Sequence, residues 1–222
     1  LLQRHPEMVV VLAGVSAALH VGKLSPAIPV LREALGVSLL QAGFLLSLVQ
    51  FAGMLFGLLA GLVADGIGLR RSMLLGLFVL SIASGLGALA EQPGALLLLR
   101  ACEGFGFLLT VMPGPGLIRR IVPAARLPSA LGMWGTYMPL GTALTLASGP
   151  LVIGQVGWQG WWLAMAGLSM AMAAWVAQAG TPIVKLERSG VGTALAAAGA
   201  GSCLPARKAP EVTAGPVSCL WN

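Results

Sequence analysis

Long runs of apolar residues, separated by short polar breaks, occupy most of the first 180 positions of the chain. Six of these runs contain about 20 residues or more, and a helix of that length crosses the roughly 30 Å hydrocarbon core of a bilayer. The runs are apolar all round, whereas a membrane β-strand needs only about ten residues of alternating polarity. The pattern therefore predicts an all-α integral membrane protein with six transmembrane helices. Their predicted bounds are 8–31, 38–64, 72–91, 94–118, 128–153 and 160–181.

The composition agrees with this interpretation. Hydrophobic residues make up 57% of the 222 positions and charged residues only 9%, whereas a soluble domain carries roughly 25% charged residues. The net charge of +6 does not indicate nucleic-acid binding, because the bases lie singly or in pairs at the ends of apolar runs. The three cysteines form no framework and no metal-binding spacing occurs, so we expect no metal and no cofactor.

The basic residues predict the orientation of the bundle in the membrane. One side's loops and ends hold eight bases, whereas the other side's loops hold only Arg32. Because cytoplasmic loops carry an excess of Lys and Arg, we place residues 1–7 and both termini in the cytoplasm, as in a multi-pass protein of the inner (plasma) membrane. Residues 183–222 are rich in Ala, Gly, Ser and Pro, which predicts a disordered cytoplasmic tail.

Ionisable residues inside the predicted helices are candidate functional residues. The first helix contains His20 and Lys23, and the fourth contains Arg100 and Glu103. Each pair is three positions apart and so shares one helix face. A charged side chain in the membrane usually faces the bundle interior or a water-filled cavity and marks a substrate or proton pathway. The alternatives are that Lys23 extends to the outer interface and that Arg100 and Glu103 form a structural pair.

The break between the second and third helices has a recognisable pattern. It reads Gly61-Leu-Val-Ala-Asp65-Gly-Ile-Gly68-Leu-Arg70-Arg71, which resembles the G-x-L-x-D-R/K-x-G-R-R/K-R/K signature loop of the major facilitator superfamily. The named positions match that signature, and Gly66 and Leu69 stand where it has bases. The alternative is a hairpin whose bases only set topology. We expect the glycines to serve a tight turn and close backbone approach.

Two further motifs extend the resemblance. Arg100, Gly104 and Gly106 match the R-x-x-x-G-x-G motif of the superfamily's fourth helix, which is associated with proton coupling or substrate contact. Prolines in the first and fifth helices resemble those of the cyanate and nitroimidazole permease branch.

Trp158, Trp161 and Trp162 open the sixth helix, where we expect an interfacial belt.

The resemblance implies half of a major facilitator fold, whose substrate site lies between two six-helix halves at mid-depth. It implies secondary active transport by alternating access, as symport or antiport, rather than enzymatic activity. Lys23, Arg100 and Glu103 would face the cavity between the halves. Two buried cations against one acid favour a small anionic solute, and protonation of Glu103 would couple transport to a proton gradient. Asp65, with Arg70 and Arg71, would stabilise one conformation of the transporter.

The chain supplies one such half, and its tail contains no seventh apolar run. We therefore expect a truncated N-terminal half of a transporter. One alternative is a membrane remnant without transport activity, and another is a homodimer of six-helix units. The expected partners are a small-molecule solute, the lipid bilayer and a second six-helix half or copy, but no nucleic acid. An intramembrane protease is disfavoured because Ser16 and Ser25 lack the sequence setting of a nucleophile.

Overall fold

The computed structural model describes residues 6–178. The expectations for residues 1–5 and for the tail, 183–222, lie outside the described residues. Within them the chain is helical and forms no strand, as predicted. The helices are α1 (Pro6–Gly22), α2 (Leu24–Leu35), α3 (Leu39–Ile67), α4 (Leu69–Gly87), α5 (Pro93–Val111), α6 (Pro113–Ile121), α7 (Leu127–Gly135) and α8 (Tyr137–Gln178), with a short 3₁₀ turn at Ala124–Arg126.

Five segments of the described chain are long and apolar enough to cross a membrane, where the sequence predicted six. They are Pro6–Leu35, Leu39–Ala64, Leu69–Gly87, Pro93–Ile121 and Ala124–Gln178. The first four correspond to the first four predicted helices. The last has 55 residues and covers both the fifth and the sixth predictions, because α8 continues through the place where we expected a loop.

Helix α8 reverses its direction at Gly157. This residue has φ 71° and ψ 176°, which is not helical and which glycine adopts without steric cost. A Cβ atom on Gly141 would lie 2.5 Å from the Cβ atom of Ala18, while Ser169 is within hydrogen-bonding distance of Ser16. In one straight helix positions 141 and 169 would lie roughly 42 Å apart. The two arms of α8, 137–156 and 158–178, therefore fold back along α1.

Helix α1 is the centre of the bundle. In the segment Pro6–Leu35, 78% of the most apolar window is buried, whereas the corresponding value for Leu39–Ala64 is 12%. One apolar core packs around the first half of α1, from Val9 to Val15. A second core packs around residues from Leu19 to Leu31. The buried position of α1 means that any polar group in its last turn must find partners inside the protein.

Helices α4 and α5 approach closely because small residues face each other. A Cβ atom on Gly76 would lie 2.6 Å from the main-chain oxygen of Gly106, so only glycine fits at this crossing. Small residues allow such close contact between membrane helices. The contact places α5 against α4 and directs Arg100 and Glu103 towards α1.

Candidate functional site: a buried charge cluster

The structure brings all four predicted ionisable residues of the membrane helices together. The exposed fractions are 0% for Lys23, 1% for His20 and 2% for both Arg100 and Glu103. Lys23 therefore points into the bundle and does not extend to the outer interface. The roles that the sequence suggests for these residues in a substrate or proton pathway remain predictions.

A break in the first membrane segment positions Lys23. Helix α1 ends at Gly22 and α2 begins at Leu24. Pro26 has no N–H to donate to the main-chain oxygen four residues earlier, at Gly22, which weakens the helix at this point. The indole Nε1 of Trp161 donates to the main-chain oxygen of Lys23 at 3.1 Å. The side chain of Trp161 thus fixes the backbone of Lys23 from the second arm of α8.

Glu103 is the acid that the two cations share. Its Oε1 accepts a hydrogen bond from Lys23 Nζ, and its Oε2 accepts one from Arg100 Nη1 at 2.7 Å. Hydrogen bonds between ionised partners are stronger than neutral ones. The pairing links the break after α1 to the middle of α5, and it includes the i, i+3 pair that the sequence predicted on α5.

The terminal nitrogen of Lys23 has three hydrogen-bonding partners, as many as an ammonium group has N–H donors. Besides Glu103 Oε1, Nζ donates to Ser84 Oγ at 2.7 Å and lies 3.4 Å from His20 Nδ1. It also lies 4.7 Å from the centre of the Trp162 ring, within the range of a cation–π contact. Lys23 is therefore held by groups from α1, α4, α5 and α8.

The guanidinium group of Arg100 binds main-chain oxygens at the end of α1. Nη1 lies 2.6 Å from the oxygen of His20 and Nη2 lies 3.2 Å from that of Val21. Nε donates to the oxygen of Leu45 in α3 at 3.2 Å. Carbonyl groups in the last turn of a helix lack partners within the helix and carry partial negative charge, which a cation stabilises. The break at Lys23 thus creates the acceptors that Arg100 binds.

Several partners in the cluster were not identified from the sequence. His20 Nε2 lies 2.7 Å from Ser169 Oγ, which lies 3.3 Å from Ser16 Oγ. Ser84 donates to the main-chain oxygen of Trp162 at 2.9 Å. Serine is too common in membrane helices to stand out, although its position in an apolar run was a usable signal.

The tryptophans at the start of the second arm of α8 lie inside the bundle. Trp158, Trp161 and Trp162 are 4%, 2% and 2% exposed, so their rings face the bundle, and the interfacial belt stays a prediction. The hydrogen bond to Lys23 and the cation–π contact explain why Trp161 and Trp162 turn inwards.

The cluster is enclosed in this conformation. The space beside Arg100 and Glu103 has no room for a water-sized sphere, and its walls are Leu24, Leu45, Leu96, Leu99 and Trp162. The sequence led us to expect that Lys23, Arg100 and Glu103 face the cavity between two six-helix halves, which stays a prediction. Within the described residues, Leu45 of α3 and Trp162 of the second arm of α8 lie over Arg100 and Glu103.

The signature loop lies at the other end of α4, about 21 Å along the helix from Ser84. Gly68, with φ 94°, separates α3 from α4, so this glycine serves the turn as expected. Among the described residues, a Cβ atom on Gly61 would meet nothing within 4 Å, so this part of the chain shows no close approach at that glycine. Asp65 lies near the end of α3, and Arg71 is exposed in the first turn of α4.

Arg70, in the signature loop, forms hydrogen bonds to the end of α8. Its Nη2 lies 2.8 Å from the main-chain oxygen of Ala177 and 3.3 Å from that of Val176. These oxygens belong to the last turn of α8 as the structure describes it. Arg70 therefore caps the end of that helix and ties it to the start of α4.

Within residues 6–178 no group of three or more His, Cys, Asp or Glu side chains is arranged to hold a metal ion. The polar chemistry of the cluster is that of ion pairs and hydrogen bonds. It can bind an anion through two cations or hold and release a proton.

The comparisons with known proteins concern the family and the fold. The sequence profile of the Major Facilitator Superfamily matches residues 10–209. The fold is similar to a solved structure of the MFS (major facilitator superfamily) proton:xylose symporter XylE bound to 6-bromo-6-deoxy-D-glucose, with a TM-score of 0.69 and 15% identity. The match covers 78% of this chain and 43% of that chain, so this chain spans less than half of the symporter's length. No curated protein sequence matches. Because the family profile matches most of the sequence, the chain belongs to the major facilitator superfamily of membrane transporters.

Proposed function

We propose that the chain forms the N-terminal half of a secondary transporter that moves a small anionic solute by alternating access. The observation that carries this proposal is the enclosed cluster in which Lys23 and Arg100 share the single acid Glu103. A charged group inside a membrane protein is expensive and usually functional. Two cations with one acid attract an anion, and the attraction is strong at the low dielectric of the interior.

The proposed topology has six membrane crossings. The reversal of α8 at Gly157 supports separate crossings by its two arms, which correspond to the fifth and sixth predicted helices. The uneven distribution of bases supports an inner-membrane protein with both termini in the cytoplasm. The signature loop and Arg70 then lie on the cytoplasmic side, and the break at Lys23 lies towards the outer side.

The proposed site is completed by a second six-helix half. The fit to 43% of the symporter chain supports this, since superfamily members bind solute between two halves. The second half would belong to the same longer protein or to a second copy of this chain. Helix α3 offers an extensive apolar surface for it, including exposed Phe44, Phe51, Met54 and Leu58. Alternating access would open the contacts of α3 and α8 over the cluster and let an anion reach Lys23 and Arg100.

Arg70 would favour one conformation of this cycle. It links the start of α4 to the end of α8, and both helices also contact the cluster through Ser84, Ser169 and Trp162. Breaking the cap would free the second arm of α8 to move. This assigns to the loop the conformational role that the signature suggests.

The test is solute uptake into vesicles that contain the full 222-residue chain. Labelled formate, nitrate and bicarbonate are compared with neutral xylose. The variants are Lys23→Met and, as a matched control, Arg32→Gln, because Arg32 is an exposed base outside the cluster. Anion uptake that Lys23→Met abolishes and Arg32→Gln retains supports the proposal.

Two outcomes contradict the proposal in different ways. Uptake of xylose alone, or anion uptake that is unchanged in Lys23→Met, argues against an anion site at the cluster. No uptake of any solute contradicts completion of the site by a second copy of this chain.

A further inference from the structure

The charge cluster contains one cation more than its acids can balance. Within the described helices, the charged residues in the interior of the apolar runs are Lys23, Arg100 and Glu103. Arg100 remains charged under all ordinary conditions. Glu103 presents both carboxylate oxygens to N–H donors, which is the arrangement of an ionised acid. With a protonated Lys23 the enclosed cluster therefore carries a net charge of +1.

An unbalanced charge that is fully enclosed in a membrane protein is unfavourable. The cluster can become neutral in two ways, either by binding a monovalent anion or by losing the proton of Lys23. The other charged groups that face Lys23 belong to α5, namely Arg100 and Glu103, and α1 contributes the titratable His20. Helices α4 and α8 contribute Ser84 and Trp162, which do not titrate in the physiological range.

We propose that Lys23 carries the transported proton: it is a neutral amine when the closed site is empty and an ammonium when the site holds an anion. This inference rests on the proposed anion transport and specifies its coupling. One proton from water joins the Lys23 amine when one monovalent anion binds, and both leave together. Each cycle then moves no net charge. The proton acceptor differs from the one that the sequence suggested, Glu103.

The neighbours of Lys23 suit both of its protonation states. As an ammonium, Lys23 donates to His20 Nδ1, His20 Nε2–H donates to Ser169 Oγ, and Ser169 donates to Ser16. As an amine, Lys23 accepts from Nδ1–H, and the other two hydrogen bonds reverse. Imidazole and hydroxyl groups can donate or accept, so neither state leaves a buried polar atom without a partner.

The same row of groups provides a route for the proton. If Lys23 passes its proton to His20 Nδ1, His20 can release the proton on Nε2 to Ser169, Ser169 can release its own to Ser16, and Ser16 releases its own to water when the site opens. The result is the reversed hydrogen-bond pattern of the amine state. The route runs about two helical turns, from Lys23 to Ser16, in the direction of the N-terminus of α1. Ser169 acts here as a positioning residue because it determines which nitrogen of His20 faces Lys23.

A nitrogen NMR experiment tests the protonation of Lys23 directly. The full chain is labelled with ¹⁵Nζ-lysine and placed in lipid nanodiscs at pH 7. The chain has only three lysines, Lys23, Lys185 and Lys208, and the signal that Lys23→Met removes is that of Lys23. We expect an amine signal without added anion and an ammonium signal with formate, nitrate or bicarbonate. An ammonium signal before any anion is added, or an amine signal that none of the three changes, overturns the proposal.

Vesicle measurements separate this proposal from the proposed function. We expect one proton to enter with each anion and no current to flow. We expect Ser169→Ala to slow proton-coupled uptake several-fold while leaving anion affinity unchanged, and Ser169→Thr, which keeps the hydroxyl, to restore the rate. Anion uptake that carries net charge, or that persists without proton uptake, refutes only the proposed role of Lys23 and leaves the proposed function in place. Anion uptake that Lys23→Met leaves unchanged refutes the proposed function.

Discussion

Arg100 of α5 binds the main-chain oxygen of His20 of α1, with Nη1 2.6 Å from that oxygen. The same nitrogen lies 2.7 Å from Glu103 Oε2. The guanidinium group of Arg100 therefore binds the end of α1 and orients Glu103, which lies in the same helix as Arg100. The stability of the first membrane segment and the geometry of the charge cluster consequently depend on the same side chain.

We expect Arg100→Lys to destabilise the chain although it keeps the charge. Lysine cannot reproduce the planar fork that reaches both main-chain oxygens and Glu103. Loss of charged hydrogen bonds at a buried site costs about 1.5–3 kcal/mol. Unfolding in detergent measures the effect, with Arg119→Lys at an exposed position as the matched control. Equal stability of the two variants would show that the fork is not required.

The close crossing of α4 and α5 predicts a contrast between two glycines. Gly76→Ala places a Cβ atom 2.6 Å from the oxygen of Gly106, and such overpacking costs about 1–3 kcal/mol. Gly61→Ala meets no atom within 4 Å and should stabilise α3 by roughly 0.5–1 kcal/mol, because alanine is a better helix former. Thermal unfolding of both variants checks the contrast. A destabilised Gly61→Ala would mean that this signature glycine contacts something beyond the described residues.

The reversal in α8 predicts that Gly157 tolerates substitution poorly. At φ 71° a Cβ atom costs about 1–2 kcal/mol, and the strain acts at the point where the two arms separate. Gly154→Ala is the control, because Gly154 lies in the first arm and has open space around it. We expect a lower Tm for Gly157→Ala only. If both variants melt like the parent chain, the positive φ is not essential to the reversal.

The cap that Arg70 provides predicts a local effect rather than a global one. Arg70→Gln removes the cation from the last described turn of α8, which such a charge stabilises by about 0.3–1 kcal/mol. Hydrogen exchange in nanodiscs should therefore become faster in residues 170–178 and stay unchanged in α5. Arg71→Gln, at an exposed neighbouring position, should change neither region. Faster exchange in both variants would point to a general effect of charge and not to the cap.

The sequence predicted the cluster because buried charge is rare and needs partners. Lys23, Arg100 and Glu103 each interrupt an apolar run, and a spacing of three residues assigns each pair to one helix face. That α1 and α5 lie side by side could not be deduced from either helix alone. The crossing of α4 and α5 at Gly76 and Gly106 likewise appears only when both helices are present.

Other features had weak signals in the sequence. Ser84 and Ser169 are small and common in membrane helices, so nothing distinguished them from serines without a partner. Trp161 and Trp162 fit an interfacial belt by position, but the indole N–H of Trp161 donates to the main-chain oxygen of Lys23 and the ring of Trp162 faces its side-chain nitrogen. The polar break near Gly157 predicted a loop, and the structure has a reversal there at a single glycine with non-helical φ and ψ. Family membership, by contrast, followed from the signature motifs and was confirmed.

The enclosed space beside Arg100 and Glu103 does not admit a water molecule. Proton transfer between buried groups and bulk solution needs a continuous row of hydrogen-bonding partners, and Leu24, Leu45, Leu96, Leu99 and Trp162 interrupt such a row at this point. Under the proposed transport cycle, these five side chains would act as insulation and keep protons from passing the cluster on this side.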